Sequence, residues 1–304
     1  MAARQARLIV LFFALAVSAA VWLTVHPGSL QSSGVQADRQ ASPRRIVSLV
    51  PSVTEMLFVV GAGPRVVGVS NFDSFPAEVR GLPRVGALLD PDTERILALR
   101  PDLVVVYRSQ EDLRARLARA GIRMFQYRHA GIEGVFDTLE DIGAVTGEVE
   151  GAARVARELR TQMDALEARV AGRPRPRTLL VFERQPRTLR NMYVSGGVGF
   201  LHDMLTAAGG VNVFADVAAE SVQPSHETVL ARAPEVILEV RAAGLLEPGA
   251  LEADRGVWAT LPSLPALRRG RVHFLTGEHL VVPGPRLAQG IEAFARALHP
   301  EAFR

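Results

Sequence analysis

Two stretches of this chain, 133 residues apart, carry one pattern, and that repeat constrains the fold more than any other feature: ERILALRPDLVVV from Glu94 and ETVLARAPEVILE from Glu227. In each, the glutamate is followed by an apolar residue at the second place, Leu-Ala at the third and fourth, Pro at the seventh and an acid at the eighth. A β-branched or leucine run follows. Local chemistry reads each copy as a short helix feeding a strand. Asp92 or Ser225 supplies the capping oxygen, Glu94 or Glu227 falls at the second helical position, and Pro101 or Pro234 forces the chain out toward a strand. A chain that repeats such a unit is expected to form two pseudo-symmetric lobes.

The surrounding sequence alternates short apolar runs with helical periods, the signature of an α/β fold. Ile46 to Val50 reads as a strand, Thr54 to Gly61 as a short helix and Val66 to Ser70 as the next strand. LVVVY, from Leu103 to Tyr107, suits a central parallel strand. Glu111 to Ala120 reads as a helix ended by Gly121, and Arg123 to Tyr127 as a further strand. The longest helical signal runs from about Glu148 to Ala171, with Val149, Ala152, Val155, Ala156, Leu159, Met163, Leu166 and Val170 on one face. Gly172 and the following RPRPR end it. This helix is either a strut between two halves or one long surface helix of a single domain. The strand Thr178 to Phe182 then opens the second half. The boundaries expected are a leader at 1–25, a polar linker at 26–44, a first α/β lobe at 45–145, a connecting helix at 146–172 and a second α/β lobe at 173–304.

The leader sets the compartment. Arg4 and Arg7 precede an uncharged run of 18 residues, Leu8 to Val25, and positive residues before an apolar stretch mark an export signal with its N-terminus in the cytoplasm. Cleavage after Ala19 and retention as a membrane anchor both fit the run, and either puts the rest outside the cytoplasm. The body gives no footprint for nucleic acid, since the whole chain carries a net charge of only +3. Cysteine is absent, which excludes disulfides, thiolate metal sites, cysteine nucleophiles and a lipid anchor on an N-terminal cysteine.

Motifs for chemistry are largely missing. Gly61-Ala-Gly63 and Gly197-Val-Gly199 lack the third glycine of a dinucleotide loop. Neither Ser70 nor Ser195 has the flanking glycines of a hydrolase elbow, and the histidines are scattered without a zinc-binding spacing. No catalytic residue, metal ligand or cofactor is assigned. An acid in the first turn of a helix is stabilised by the helix dipole, which suffices to explain one such glutamate. Identical placement of Glu94 and Glu227 in two lobes opens a second reading, in which both face arginines on a symmetric partner and register its docking.

Taken together, RIVSLVPSVTEMLFVVGAGPRVVGVSNFDSFP, PDTERILALRPDLVVVY, SHETVLARAPEVI and PGPRLAQGIEAFARALHP resemble the helical-backbone (class III) periplasmic binding proteins of ABC importers, and are most similar to the cobalamin and ferric siderophore receptors. The resemblance covers residues from about 44 to 304. It implies two Rossmann-like lobes joined by one long helix, with a ligand in the cleft between them. It also implies delivery to a permease dimer with cytoplasmic ATPases, docked through Glu94 and Glu227. By analogy Ser52, Phe72, Tyr107, Arg184, Gln223 and His279 line the cleft and hold a corrinoid. A ferric siderophore or haem is the alternative ligand, with Arg108, Arg184, Arg241 and Arg286 to meet its anionic groups. A membrane-tethered metal-dependent hydrolase on α/β lobes is the more distant alternative.

Overall fold

The computed structural model describes residues 42–241, 254 and 256–304. The leader expected at 1–25 and most of the linker lie outside the described residues. Among the described residues no helix is long and apolar enough to cross a membrane.

The first lobe is built on a parallel sheet in the order β2-β1-β3-β4. Its strands are β1 (Ile46–Ser48), β2 (Val66–Val69), β3 (Leu103–Tyr107) and β4 (Arg123–Tyr127). LVVVY is β3, buried over its first four residues as an all-apolar central strand should be. Helix α1 (Pro51–Val60) begins directly after β1, earlier than the apolar period predicts, because Pro51 occupies its first turn with φ already helical. Helices α2 (Thr93–Ala98), α3 (Glu111–Arg119) and α4 (Ile132–Thr146) complete this lobe.

Helix α5 (Val149–Val170) follows, 22 residues or about 33 Å long. It packs on α1 and α4 of the first lobe and on α6 (Phe200–Ala207) and α9 (Leu287–Leu298) of the second. Of its predicted apolar face, Ala152, Val155, Leu159 and Val170 are buried and Ala156, Met163 and Leu166 partly so. Val149 is the exception at 60% exposure, since the first residue of the helix overhangs the packed surface.

The second sheet runs β10-β9-β5-β6-β8, with β7 beside β5. Its strands are β5 (Arg177–Glu183), β6 (Tyr193–Ser195), β7 (Val211–Asn212), β8 (Ser221–Val222), β9 (Val236–Arg241) and β10 (Val272–Thr276), with α7 (His226–Arg232) ahead of β9 and α8 (Pro265–Arg268) ahead of β10. One edge of β5 is shared: Arg177 and Thr178 pair in parallel with β7, while Val181 and Glu183 pair antiparallel with β6. Without the β6–β8 pair, the order β7-β5-β9-β10 repeats β2-β1-β3-β4.

The repeat persists in atomic detail. Asp92 caps α2 through Arg95 N and Ser225 caps α7 through Thr228 N, so Glu94 and Glu227 each take the second helical position. Arg100 and Ala233, each directly before the proline, adopt positive φ of 48° and 45°. The acid after each proline then ties down the start of its lobe. Asp102 accepts from Arg44 N and Arg45 N, and Glu235 accepts from Arg177 N.

Candidate functional site: the cleft between the lobes

In α/β sheets ligands bind beyond the carboxyl ends of the strands, and the candidate residues gather there. Ser52 follows β1, Phe72 follows β2 and Tyr107 ends β3. Arg184 follows β5, Gln223 follows β8 and His279 follows β10. Contacts between the lobes join these same ends. Ser74 Oγ donates to Glu278, and Arg286 donates to Glu55 and lies 4.2 Å from the Phe75 ring centroid. His129 Nε2 stands 3.8 Å from Glu220. Asp203 on α6 accepts from Ile132 N at 2.9 Å, so the second lobe caps α4 of the first. Gly131, the residue before Ile132, permits that approach; a Cβ there would meet Asp203 Oδ2 at 2.1 Å.

Aromatic rings stand near the strand ends of both lobes. In the first lobe the half-buried Tyr107 meets Tyr127 edge-on, with centroids 5.9 Å apart, and Tyr127 meets His129 at 6.5 Å. In the second, Tyr193 lies 6.4 Å from Phe182. Burial pushes the Tyr107 phenol far above its ordinary value, and that of Tyr127 up to about 12, so both stay neutral donors. Phe72 is half-buried on a loop tied from below. Asp73 accepts from Ser70 N and Ser70 Oγ at 2.8 and 2.6 Å, and Arg84 donates to the carbonyls of Ser70 and Asp73. Burial raises the Asp73 carboxyl to about 6 despite these donors.

The six ligand candidates do not share one environment. Phe72 and His279 are half-buried and Gln223 is exposed. Burial, and after it the nearby Arg286, lowers the His279 imidazole below its usual range. Ser52 is buried in the first turn of α1, so its hydroxyl is not presented to solvent. Arg184 also departs from expectation. Its side chain is fully buried, pairing Nε with Glu239 at 3.0 Å and Nη1 with Asp254 at 3.1 Å. Arg241 joins the same two acids, and Trp258 Nε1 donates to Glu239. Arg184 therefore ties the end of β5 to β9 and to Asp254, and with its side chain fully buried it presents no charge to a ligand.

Glu94 and Glu227 are both exposed, and each sits on the carboxyl-end side of its own sheet. The loop leading to Glu94 is tied to the ends of β2 and β3 by Asn71 N to Gly86 O and by Gln110 Nε2 to Leu88 O. Glu227 follows His226, whose ring bonds to Leu189 O in the loop after β5. A hydrogen bond from Ser225 holds the Glu227 carboxyl below its usual value. Beside Glu94 lies an open groove of about 630 Å³, flanked by Asp90, Asp92, Arg95, Asp112 and Arg116.

Tyr127, Tyr193, Glu55 and Glu220 were given no site role from sequence. The two tyrosines were findable, because Tyr127 ends β4 as Tyr107 ends β3, and Tyr193 opens the strand facing the end of β5. Glu55 and Glu220 carry no such signal, since their partners lie in the other lobe.

Comparison with known proteins agrees with this architecture. The family model described as periplasmic binding protein matches residues 46–277. The Vitamin B12-binding protein of Salmonella typhimurium is 34% identical over 229 residues, spanning 75% of this chain and 81% of that protein. The crystal structure of the periplasmic vitamin B12 binding protein BtuF of Vibrio cholerae superposes with a TM-score of 0.71 at 23% identity, covering 86% of this chain and 98% of that one. The periplasmic heme-binding protein RhuT of Roseiflexus sp. RS-1 gives 0.72 at 25% identity, covering 85% and 99%. The chain belongs to the periplasmic binding protein family and is a substrate-binding protein of the ABC-transporter type, not an enzyme.

Proposed function

We propose that this protein captures a corrinoid in the cleft between its lobes, outside the cytoplasm, and hands it to a permease dimer driven by cytoplasmic ATPases. On this reading residues 45–145 and 173–304 are the clasping lobes, and 146–172 is the strut between them. Phe72, Tyr107 and Tyr193, each partly exposed, offer ring faces to a flat macrocycle, burying area at low entropic cost, with the buried Tyr127 packed behind Tyr107. His279 and Gln223 supply polar contacts at the rim. Glu94 and Glu227 meet basic pockets of the permease.

One observation favours a corrinoid over haem or a ferric siderophore. Of the four arginines available to meet anionic groups, Arg184, Arg241 and Arg286 are already paired with Glu239, Asp254 and Glu55. Freeing any of them for a propionate or catecholate would leave a buried acid without its partner, a costly exchange. The neutral amide rim of a corrin demands no such exchange. The 34% identity to a vitamin B12-binding protein supports the same ligand.

The similarity to a heme-binding protein keeps haem as the second reading. Calorimetric titration of the purified chain with cyanocobalamin, haem and a ferric hydroxamate separates the two. Tight one-to-one uptake of cyanocobalamin is expected. Tight uptake of haem with none of cyanocobalamin would replace the proposal.

A further inference from the structure

Arg286, just ahead of α9 in the second lobe, reaches across to the first. It lies 231 residues from Glu55 and donates to it twice, Nε to Oε2 at 2.8 Å and Nη2 to Oε1 at 2.5 Å. The pair is sheltered, with side-chain exposures of 15% for Arg286 and 4% for Glu55. The same guanidinium lies over Phe75, on the loop that carries Phe72. Beside it Ser74 donates to Glu278, and a Cβ on Gly284 would stand 3.4 Å from Glu55 Oε2. One side chain of the second lobe therefore grips both the first helix and the aromatic rim of the first lobe. Paired donors and a stacking plane together are properties of arginine and not of lysine.

We propose that Arg286, clasped by Glu55 and stacked on Phe75, is a positioning residue that sets the opening between the lobes and thereby the residence time of the bound solute. This rests on the cleft being the ligand site. Removing either member leaves a buried charge without its counter-charge, and the direct relief is entry of water, which requires the lobes to part at this point. The Asp203 cap on α4 and the packing of α5 against both lobes remain. Loss of the pair is thus expected to swing the lobes apart without separating them. Such a swing loosens the grip on a solute held by both sides, and acts mainly on its dissociation rate.

The absence of native cysteine allows unique labelling. Spin labels at Arg119→Cys in the first lobe and Ser263→Cys in the second, both exposed positions, report the interlobe distance without ligand. Glu55→Gln is expected to broaden the distance distribution toward longer values and to raise the dissociation rate of cyanocobalamin at least tenfold. Arg286→Lys, which keeps the charge but not the paired donors, should fall between Glu55→Gln and the parent. If Glu55→Gln does not fold, Arg286→Lys alone carries the test. An unchanged distance distribution in the folded variants would overturn the inference whatever the ligand proves to be. A changed distribution in a chain that binds no cyanocobalamin would uphold the positioning role and reject the corrinoid reading.

Discussion

Glu239→Gln should be among the most damaging conservative changes in this chain. Glu239 lies on the interior strand β9 and, with Asp254, balances Arg184 and Arg241. The side chains of Arg184 and Glu239 are 0% and 1% exposed, so water cannot take over the lost charge. Glutamine keeps the shape and still accepts from Trp258 Nε1, which isolates the charge from the packing. Breaking a buried pair in this way costs on the order of 3–5 kcal/mol, because an uncompensated cation stays behind. At about 2–4 °C per kcal/mol for a chain of this size, the midpoint should fall by on the order of 10 °C. Urea and thermal unfolding followed by circular dichroism would measure it. Glu292→Gln serves as control, since it loses only a surface pair with Arg296 one helical turn away, worth about 0.5 kcal/mol. A Glu239→Gln variant within about 1 kcal/mol of the parent would refute the claim that this cluster is structural.

Asp73 gives a pH signature. Its native carboxyl titrates at about 6 against 3.8 for the free group, so the folded state holds a proton that the unfolded chain releases between those values. Its stabilising contribution, on the order of 3 kcal/mol, is full below about pH 4 and lost as pH rises through 6. Unfolding at several pH values should show that slope in the parent and lose it in Asp73→Asn; equal slopes would contradict the assignment. Glu94→Ala with Glu227→Ala should abolish uptake into cells while leaving solute affinity unchanged, and undiminished uptake would count against docking through these residues. Gly86→Ala should distort the loop that presents Glu94, because φ is +87° and a Cβ would meet Asp90 O at 2.2 Å. Weakened docking at full solute affinity is expected, read by co-purification with the permease. Asp203→Ala removes the cap that α4 receives from the other lobe and should cost about 1 kcal/mol in unfolding measurements.

Much of the fold was legible because local chemistry and tertiary structure agree. LVVVY and RMFQY became β3 and β4 at their predicted bounds, and Asp92 and Ser225 cap the helices that the repeat anticipates. Helix α4 escaped notice. Gly134 and Gly143 weaken its helical propensity, and its buried face of Val135, Leu139 and Ile142 is held by packing against α1 and α5. Candidate ligand positions were legible as strand ends, but their exposure was not. Arg184 looks available in sequence; the register that sets Val181 opposite Glu239 places it among buried acids. The pairs Glu55–Arg286 and His129–Glu220 depend on how one lobe lies against the other, which no local pattern encodes.

The most direct test of the account is a crystal structure of the chain grown with cyanocobalamin. The corrin is expected between Phe72 and Tyr107 on one side and Tyr193 and His279 on the other, chemically unchanged, with Arg184 still bound to Glu239 and Asp254. Corrin density outside the interlobe cleft, or an Arg184 that has left Glu239 to reach the ligand, would contradict it.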